Sequence, residues 1–234
     1  MCRRFTVVTW DEIAEVVREL QADSPVNAQP DWPARPVVGE DAAAQVEPGE
    51  DAFPGAGVDV IVRGLESQLT VERLTWGFPV EWQQRPVYNT RLETAMGPNP
   101  GMWEQPIARG RGIVVTSGFF EAHATQTVRS PKTGRKIKQQ YRFESGGAAP
   151  LLLATVCGRG CFSVVTTRPN ASVAPVHNRM PLVLTLAEAR WWLRAPWPSL
   201  VVNWQTLANR DRFALTAAPE QPPAAVTFGQ GTLF

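Results

Sequence analysis

Four residues carry side chains suited to nucleophilic and acid–base chemistry: Cys2, Asn89, Glu121 and His177. Cys2 is second in the chain, so removal of Met1 would place an α-amine and a thiol on one residue. Unperturbed, these groups titrate near about 8 and 8.5, which leaves part of the amine neutral at neutral pH. Such a 1,2-aminothiol suits aldehyde capture: the amine forms a Schiff base and the thiol closes on it as a five-membered thiazolidine. A small second residue also favours removal of Met1 by a methionine aminopeptidase. Glu121 ends the run Gly118-Phe119-Phe120-Glu121, where a buried carboxylate is costly unless paired. His177 lies in Pro175-Val176-His177-Asn178-Arg179-Met180-Pro181 and offers a second acid/base. Asn89 could hold an amine or a hydroxyl. Each also has a plainer reading: an ordinary cysteine, a surface strand, a paired strand-end carboxylate, a structural histidine.

The elements that must position these residues are short. Residues 4–8 read as a strand. Thr9 and Glu12 fit a capping box, which opens a helix with Ile13, Val16, Val17 and Leu20 on one face. Residues 24–57, rich in Pro, Ala, Gly and acids, predict a long irregular loop. Residues 58–62 and 74–78 read as strands, and Trp82 follows in a loop. Residues 88–95 form a polar segment, and 97–106 a Pro/Gly-rich loop. Residues 112–117 are apolar and β-branched, the pattern of a central strand leading to Glu121. Residues 129–142 hold six cations and no acid. The Lys132-Thr133-Gly134 turn makes them a basic hairpin, whose plain reading is a solvated tip. Residues 151–156 and 162–167 are two more strands. Thr185 and Glu188 cap a second helix carrying the pair Trp191-Trp192. The tail, 217–234, predicts irregular structure. About eight strands and two main helices predict one α+β domain over 1–234, a bent or barrel-like, mainly antiparallel sheet flanked by helices.

Composition narrows the function. A chain of 234 residues with 44% hydrophobic and 19% charged residues is globular and can bury a sizeable core. Net charge of +1 neither requires nor excludes nucleic acid, so such a partner needs a local basic patch. Nine Trp residues fill cores or stack on unpaired bases. Three cysteines, no apolar run of signal-peptide length and no membrane-spanning stretch lead us to expect a cytoplasmic protein without a membrane partner. Cys157 and Cys161 lack further ligands beyond His123 and His177, so no metal is expected and both read as strand residues. Phosphate loops, Walker motifs and nucleophile elbows are missing from the sequence, and we expect no cofactor.

Taken in order, the motifs resemble the SOS response-associated peptidase family. The resemblance rests on Met1-Cys2-Arg3-Arg4-Phe5, Gln45-Val46-Glu47-Pro48, Trp76-Gly77, Asn89-Thr90-Arg91-Leu92-Glu93-Thr94-Ala95, Gly118-Phe119-Phe120-Glu121 and His177-Asn178-Arg179-Met180-Pro181, and runs to about residue 195. It implies a protein that binds single-stranded DNA and links covalently to abasic sites, the Cys2 amine meeting the deoxyribose aldehyde; we expect a monomer. It implies that Glu121 shuttles protons, that His177 assists ring opening of the sugar or reversal, and that Asn89 orients the amine or the sugar. Arg4, Arg91 and Arg179 match positions expected to meet phosphates, and Trp82 would wedge or stack at the lesion. The family is also thought to remove its own N-terminal residue. This chain departs from the pattern at Arg3, where the family has Gly, at Gln45 and Glu47 in the Pro loop, and at Ala122-His123, where Trp is usual.

Two other functions use the same residues. An N-terminal-nucleophile peptidase or amidase would turn over peptide without DNA. A non-catalytic single-strand-binding domain would bind DNA in a salt-sensitive way and form no covalent product.

Overall fold

The computed structural model describes residues 1–22, 43–64, 68–147, 149–211 and 213–222. Its strands are β1 (Phe5–Val7), β2 (Asp51–Ala52), β3 (Gly57–Arg63), β4 (Leu69–Trp76), β5 (Asn89–Arg91), β6 (Arg111–Arg129), β7 (Lys136–Ser145), β8 (Leu151–Gly158), β9 (Cys161–Thr167), β10 (Met180–Pro181), β11 (Val183–Leu184) and β12 (Leu215–Pro219). The helices are α1 (Trp10–Gln21), α2 (Leu92–Ala95), α3 (Glu104–Arg109), α4 (Leu186–Arg194) and α5 (Trp197–Ala208), with a 3-10 turn at Gly101–Trp103.

All twelve strands join one sheet: eight follow the order β11-β8-β9-β4-β3-β6-β1-β2, while β5 and β10 pair with β9, β7 with β6 and β12 with β7. A further β8–β6 pairing closes β6, β3, β4, β9 and β8 into a ring. The fold is therefore α+β with a mainly antiparallel, barrel-like sheet, as the strand pattern predicts. Only β4–β9 and β5–β9 run parallel among the paired strands. The long strand β6 is the spine. Its first half pairs with β8 and β3, and its second half with β1 and then β7. One strand thus carries Glu121 from the ring to the site.

Both faces of the ring are buried. Along β3, Val58, Val60 and Val62 enter one core and Ile61 the other, the period-two alternation of a strand. The first core contains Cys2, Phe5, Trp76, Phe119, Phe143 and Phe162. The second lies under α1 and α4, where Ile13, Val16, Val17, Leu20, Trp192 and Leu193 pack on the sheet. Each such side chain contributes about 1.5–3 kcal/mol through burial. Both predicted capping boxes form, Thr9 with Glu12 and Thr185 with Glu188.

Several segments differ from the sequence reading. Residues 97–106 hold a 3-10 turn and the start of α3, because Trp103 and Ile107 are buried anchors. Helix α5 has Pro near its start and no charged residue, so it shows no polar face to betray its period. Of the expected loop at 24–57, residues 24–42 lie outside the described ones. The rest contains β2 and a bridge from Gln45 to Gly57. Of the expected irregular tail, residues 217–219 continue β12 and pair with β7. The edge of β7 supplied the backbone partners that the sequence does not reveal. Residues 223–234 lie outside the described ones. Among the described residues, no helix is long and apolar enough to cross a membrane.

Candidate active site

Glu121 reaches the site because β6 continues past its apolar half. Gly118 permits the close crossing of β6 and β7, since a Cβ there would come within 2.9 Å of the Phe143 carbonyl oxygen. Glu121 itself pairs with Tyr141 across β7 and is 2% exposed. Strand β1 runs antiparallel to this stretch, Phe5 opposite Phe119, and so delivers the N-terminus to Glu121. His177 follows a tight turn anchored by the buried Val173 and Val176, its N–H donating to the Val173 carbonyl at 3.0 Å. Strand β10, which follows, is pinned to β9. Asn89 begins β5, beside Val164 of β9.

These four sequence-selected residues lie together around the chain's first peptide. The Met1 amine is 3.0 Å from Glu121 Oε2 and 3.0 Å from His177 Nε2. Asn89 Nδ2 donates to the Cys2 carbonyl oxygen at 2.8 Å. With Met1 in place, Asn89 therefore grips the backbone of Cys2 rather than an amine. The Cys2 thiol is fully buried and faces the Arg4 carbonyl at 3.7 Å. Glu121 Oε1 and Asn89 Oδ1 are buried acceptors without a protein donor among the described residues, which suits a ligand bearing N–H or O–H groups.

Burial sets the acid–base properties. It pushes Glu121 up to about 7, although the Met1 ammonium and its hydrogen bond pull the other way. The carboxyl can then exchange a proton at neutral pH. Burial, reinforced by the Glu121 charge, pushes the Cys2 thiol far above its usual range. Nucleophilic attack by sulfur thus requires a proton acceptor beside it. His177 is held below the usual imidazole range, mainly by burial, with the charges of the N-terminus, Lys138 and Arg179 acting in the same direction.

The His177 ring has a partner for either tautomer. Nδ1 lies 3.0 Å from both the N–H and the carbonyl oxygen of Arg179. Donation from Nδ1 to that carbonyl leaves Nε2 to accept from an ammonium. Acceptance from the N–H leaves Nε2–H to donate to a neutral amine. The same residue can thus serve the amine before and after it loses a proton.

The arginines are more engaged than the sequence suggests. Arg4 stacks on Phe120, its guanidinium carbon 3.5 Å from the ring centre, and pairs with Asp51 and Glu220. Arg179 forks onto Glu93 at 3.0 and 2.9 Å and donates to the Thr166 carbonyl at 2.7 Å. Burial opposes ionisation of Glu93, but the bonds and charge of Arg179 hold its carboxyl below the usual value. Arg91 is exposed at the end of β5, and Trp82 is 69% exposed on the turn after β4. Arg3, which replaces the glycine of the resembled motif, is exposed while Cys2 is buried. Gln45 is held by Arg73, which donates to Oε1 at 2.8 Å. The partners Asp51, Glu220, Thr166 and Phe120 were missed by sequence reasoning. Only Phe120, inside the Glu121 motif, carried a local signal. Among the described residues, no group of three His, Cys, Asp or Glu side chains could hold a metal ion.

Comparison with known proteins gives a family. The family described as SOS response associated peptidase matches residues 1–219. The abasic site processing protein YedK of Escherichia coli is 26% identical over 205 residues, covering 83% of this chain and 80% of that protein. The abasic site processing protein YoqW of Bacillus subtilis is 22% identical over 208 residues, covering 82% and 80%. Among solved structures, a phage-related protein of Bordetella bronchiseptica is similar with a TM-score of 0.66 at 22% identity, covering 94% of each chain. A second protein of that organism is similar with a TM-score of 0.61 at 18% identity, covering 94% of this chain and all of the other.

Proposed function

The chain belongs to the SOS response-associated peptidase family, and from that premise we propose that it binds single-stranded DNA and, once Met1 is removed, traps abasic sites covalently through Cys2. One observation carries the reading: the N-terminal amine sits between a buried carboxyl and an imidazole, 3.0 Å from each.

The chemistry balances with these groups. The Cys2 amine adds to the open-chain aldehyde of the abasic sugar, giving a carbinolamine. Glu121, near half-protonated at neutral pH, donates a proton to the departing hydroxyl, and water leaves with formation of the C=N bond. The Cys2 thiol then gives its proton to the Glu121 carboxylate as sulfur bonds to the imine carbon. The C=N π pair returns to nitrogen, which keeps the N–H of the iminium, and the neutral thiazolidine is complete with Glu121 reprotonated. General acid–base help of this kind is worth about 10²–10⁴ in rate. Asn89, by holding the Cys2 carbonyl, fixes the new terminus against Glu121 and His177. His177 exchanges a proton with the sugar hydroxyl or the amine. Arg4, Arg91 and Arg179 meet phosphates, and the exposed Trp82 stacks at the lesion.

The same pair supports a second activity, hydrolysis of the Met1–Cys2 bond, because the Met1 amine already lies between the two proton carriers. Intact mass of chain refolded without any aminopeptidase reads this directly: loss of one methionine supports self-cleavage, and a stable Met1 excludes it.

The test of the main reading is a denaturing gel. Protein lacking Met1 is mixed with single-stranded DNA carrying one abasic site, beside Cys2→Ala. A Cys2-dependent band that survives denaturation is expected. No band, with Met1 shown absent by mass, overturns the trapping reading and leaves non-covalent DNA binding or hydrolysis.

A further inference from the structure

The basic hairpin of β6 and β7 is an arm with a defined root, face and tip. From Ala122 to Gln140 the chain has no carboxylate and no Phe, Tyr or Trp, but carries Arg129, Lys132, Arg135, Lys136 and Lys138. All five cations are exposed. None makes an ion pair among the described residues. The pairs Thr127–Lys138, Val128–Ile137 and Arg129–Lys136 sort the arm by strand alternation. Arg129, Lys136 and Lys138 share one face, and Val128 and Ile137 share the other.

The tip is held in one shape. Ser130 N–H donates to the Arg135 carbonyl at 2.9 Å and Gly134 N–H to the Ser130 carbonyl at 2.7 Å. Gly134 has φ +66, a left-handed position that suits glycine. The root is a wide bulge in which residues 123–126 oppose Gln139 alone. His123 Nδ1 accepts from the N–H groups of Thr125 and Gln126 at 3.1 and 3.0 Å, which closes the bulge on itself. Ala124 N–H donates to the Val176 carbonyl at 2.8 Å, one residue before His177. On the far side, Gln139 Nε2 donates to the Glu220 carbonyl at 2.7 Å. The arm is therefore tied to the backbone of the site, and its last ladder pair, Arg129–Lys136, lies about 10 Å beyond the bulge at about 3.3 Å per residue, with the turn beyond it.

We propose that this arm grips the sugar–phosphate backbone of the DNA strand beside the trapped nucleotide, as a second contact outside the trapping pocket. The proposal rests on the reading that the pocket receives DNA. Cations without acids repel one another, a cost that a polyanion relieves. The lack of aromatics means that the arm offers nothing for bases to stack on, so its contact is with phosphates and is blind to sequence. A solvated edge would use charge to prevent strand pairing, but it would have no need of a root bonded beside His177.

The test uses the triple variant Lys132→Gln, Arg135→Gln, Lys136→Gln, none of which touches the pocket. Two single-stranded oligonucleotides carry the abasic site: a short one that cannot reach the tip and a long one that can. On the long strand, the slope of log affinity against log salt is expected to fall by about 2 for three lost phosphate contacts. The trapping rate at limiting protein falls with it. On the short strand, the variant should match the unaltered protein. Equal salt slopes and equal rates on the long strand overturn the arm. If the unaltered protein traps nothing, the salt slope on long DNA without a lesion still decides: a lower slope in the variant keeps the arm while the trapping reading fails, and an unchanged slope removes it.

Discussion

Glu121 and His177 approach one nitrogen from two sides, the carboxylate oxygen and the ring nitrogen each 3.0 Å from the N-terminal amine. Their ionisation is complementary: burial raises the carboxyl to about 7 and lowers the imidazole. Near neutrality, one is a ready acid and the other a neutral base. Glu121→Gln keeps the shape and removes the proton. We expect the trapping rate to fall by about 10²-fold or more, with non-covalent DNA affinity little changed. His177→Gln should slow the step less, since Glu121 can still carry both protons. Single-turnover rates at saturating DNA check this. Equal losses in the two variants would mean that they act as one unit.

Burying Glu121 also has a price in stability, with a definite sign. Its folded-state value is raised from 4.5 to about 7. The stability that the protonated form supplies is complete below pH 4.5 and is lost as pH rises to 7. The loss is about 3 kcal/mol. Glu121→Gln should therefore match the unaltered protein near pH 4.5 and exceed it by up to about 3 kcal/mol above pH 8. Denaturant titrations across this range provide the test. A variant that is less stable at high pH would show that the N-terminal ammonium more than offsets burial.

In the proposed mechanism the thiol closes the ring after the amine has captured the aldehyde. In protein lacking Met1, Cys2→Ala keeps a terminal amine, and Asn89 still has a carbonyl to hold. We expect this variant to give no stable band, yet to give one when borohydride is present to reduce the imine. If borohydride yields nothing, the thiol acts before the amine and the order of steps is reversed.

Arg4 is held by Asp51 and Glu220 across Phe120. If Arg4 meets phosphate as proposed, the phosphate must compete with those carboxylates. Glu220→Gln removes one competitor and one repulsive charge, so affinity for single-stranded DNA should rise by about two- to fivefold at low salt, the range of a partly exposed pair. A fall in affinity instead would assign Arg4 to holding the end of β12 in place.

The two capped helices, the ring strands β3, β8 and β9 and the basic hairpin were legible because their signals are local, whereas β4 begins five residues before the expected 74–78 and β6 runs on past the expected end to Arg129. Thr9 meets Glu12 three residues on, and Val58, Val60 and Val62 alternate. The four site residues were visible only as motifs in a family order, since nothing in residues 2, 89, 121 and 177 alone states that β1 pairs with β6 and β5 with β9. What stayed hidden depends on distant partners. Glu220 lies in a Pro-rich tail and gains meaning only when β12 docks on β7. Helix α5 has no charged residue to mark its outer face. The bulge at 123–126 has no local signal, because the bond from Ala124 to Val176 that fixes it joins residues far apart in the chain.

Arg179 separates positioning from DNA contact. Its side chain forks onto Glu93 and reaches Thr166, while its backbone N–H and carbonyl flank His177 Nδ1. Lysine keeps the charge but has no planar fork. If the guanidinium mainly holds this turn, Arg179→Lys should loosen the ring that serves the amine. The rate at saturating DNA should fall by about tenfold, the scale of a misplaced catalytic group, with a smaller change in affinity. Its pH profile should also shift, because burial and the Arg179 backbone together set the ionisation of His177. If the side chain mainly meets phosphate, lysine should preserve the saturating rate, and any loss should appear in affinity and its salt slope. Glu93→Gln provides the second arm. It leaves the Arg179 charge intact while weakening the fork, so a rate loss shared by both variants assigns Arg179 to holding His177, and a gain in DNA affinity from Glu93→Gln alone assigns it to the strand.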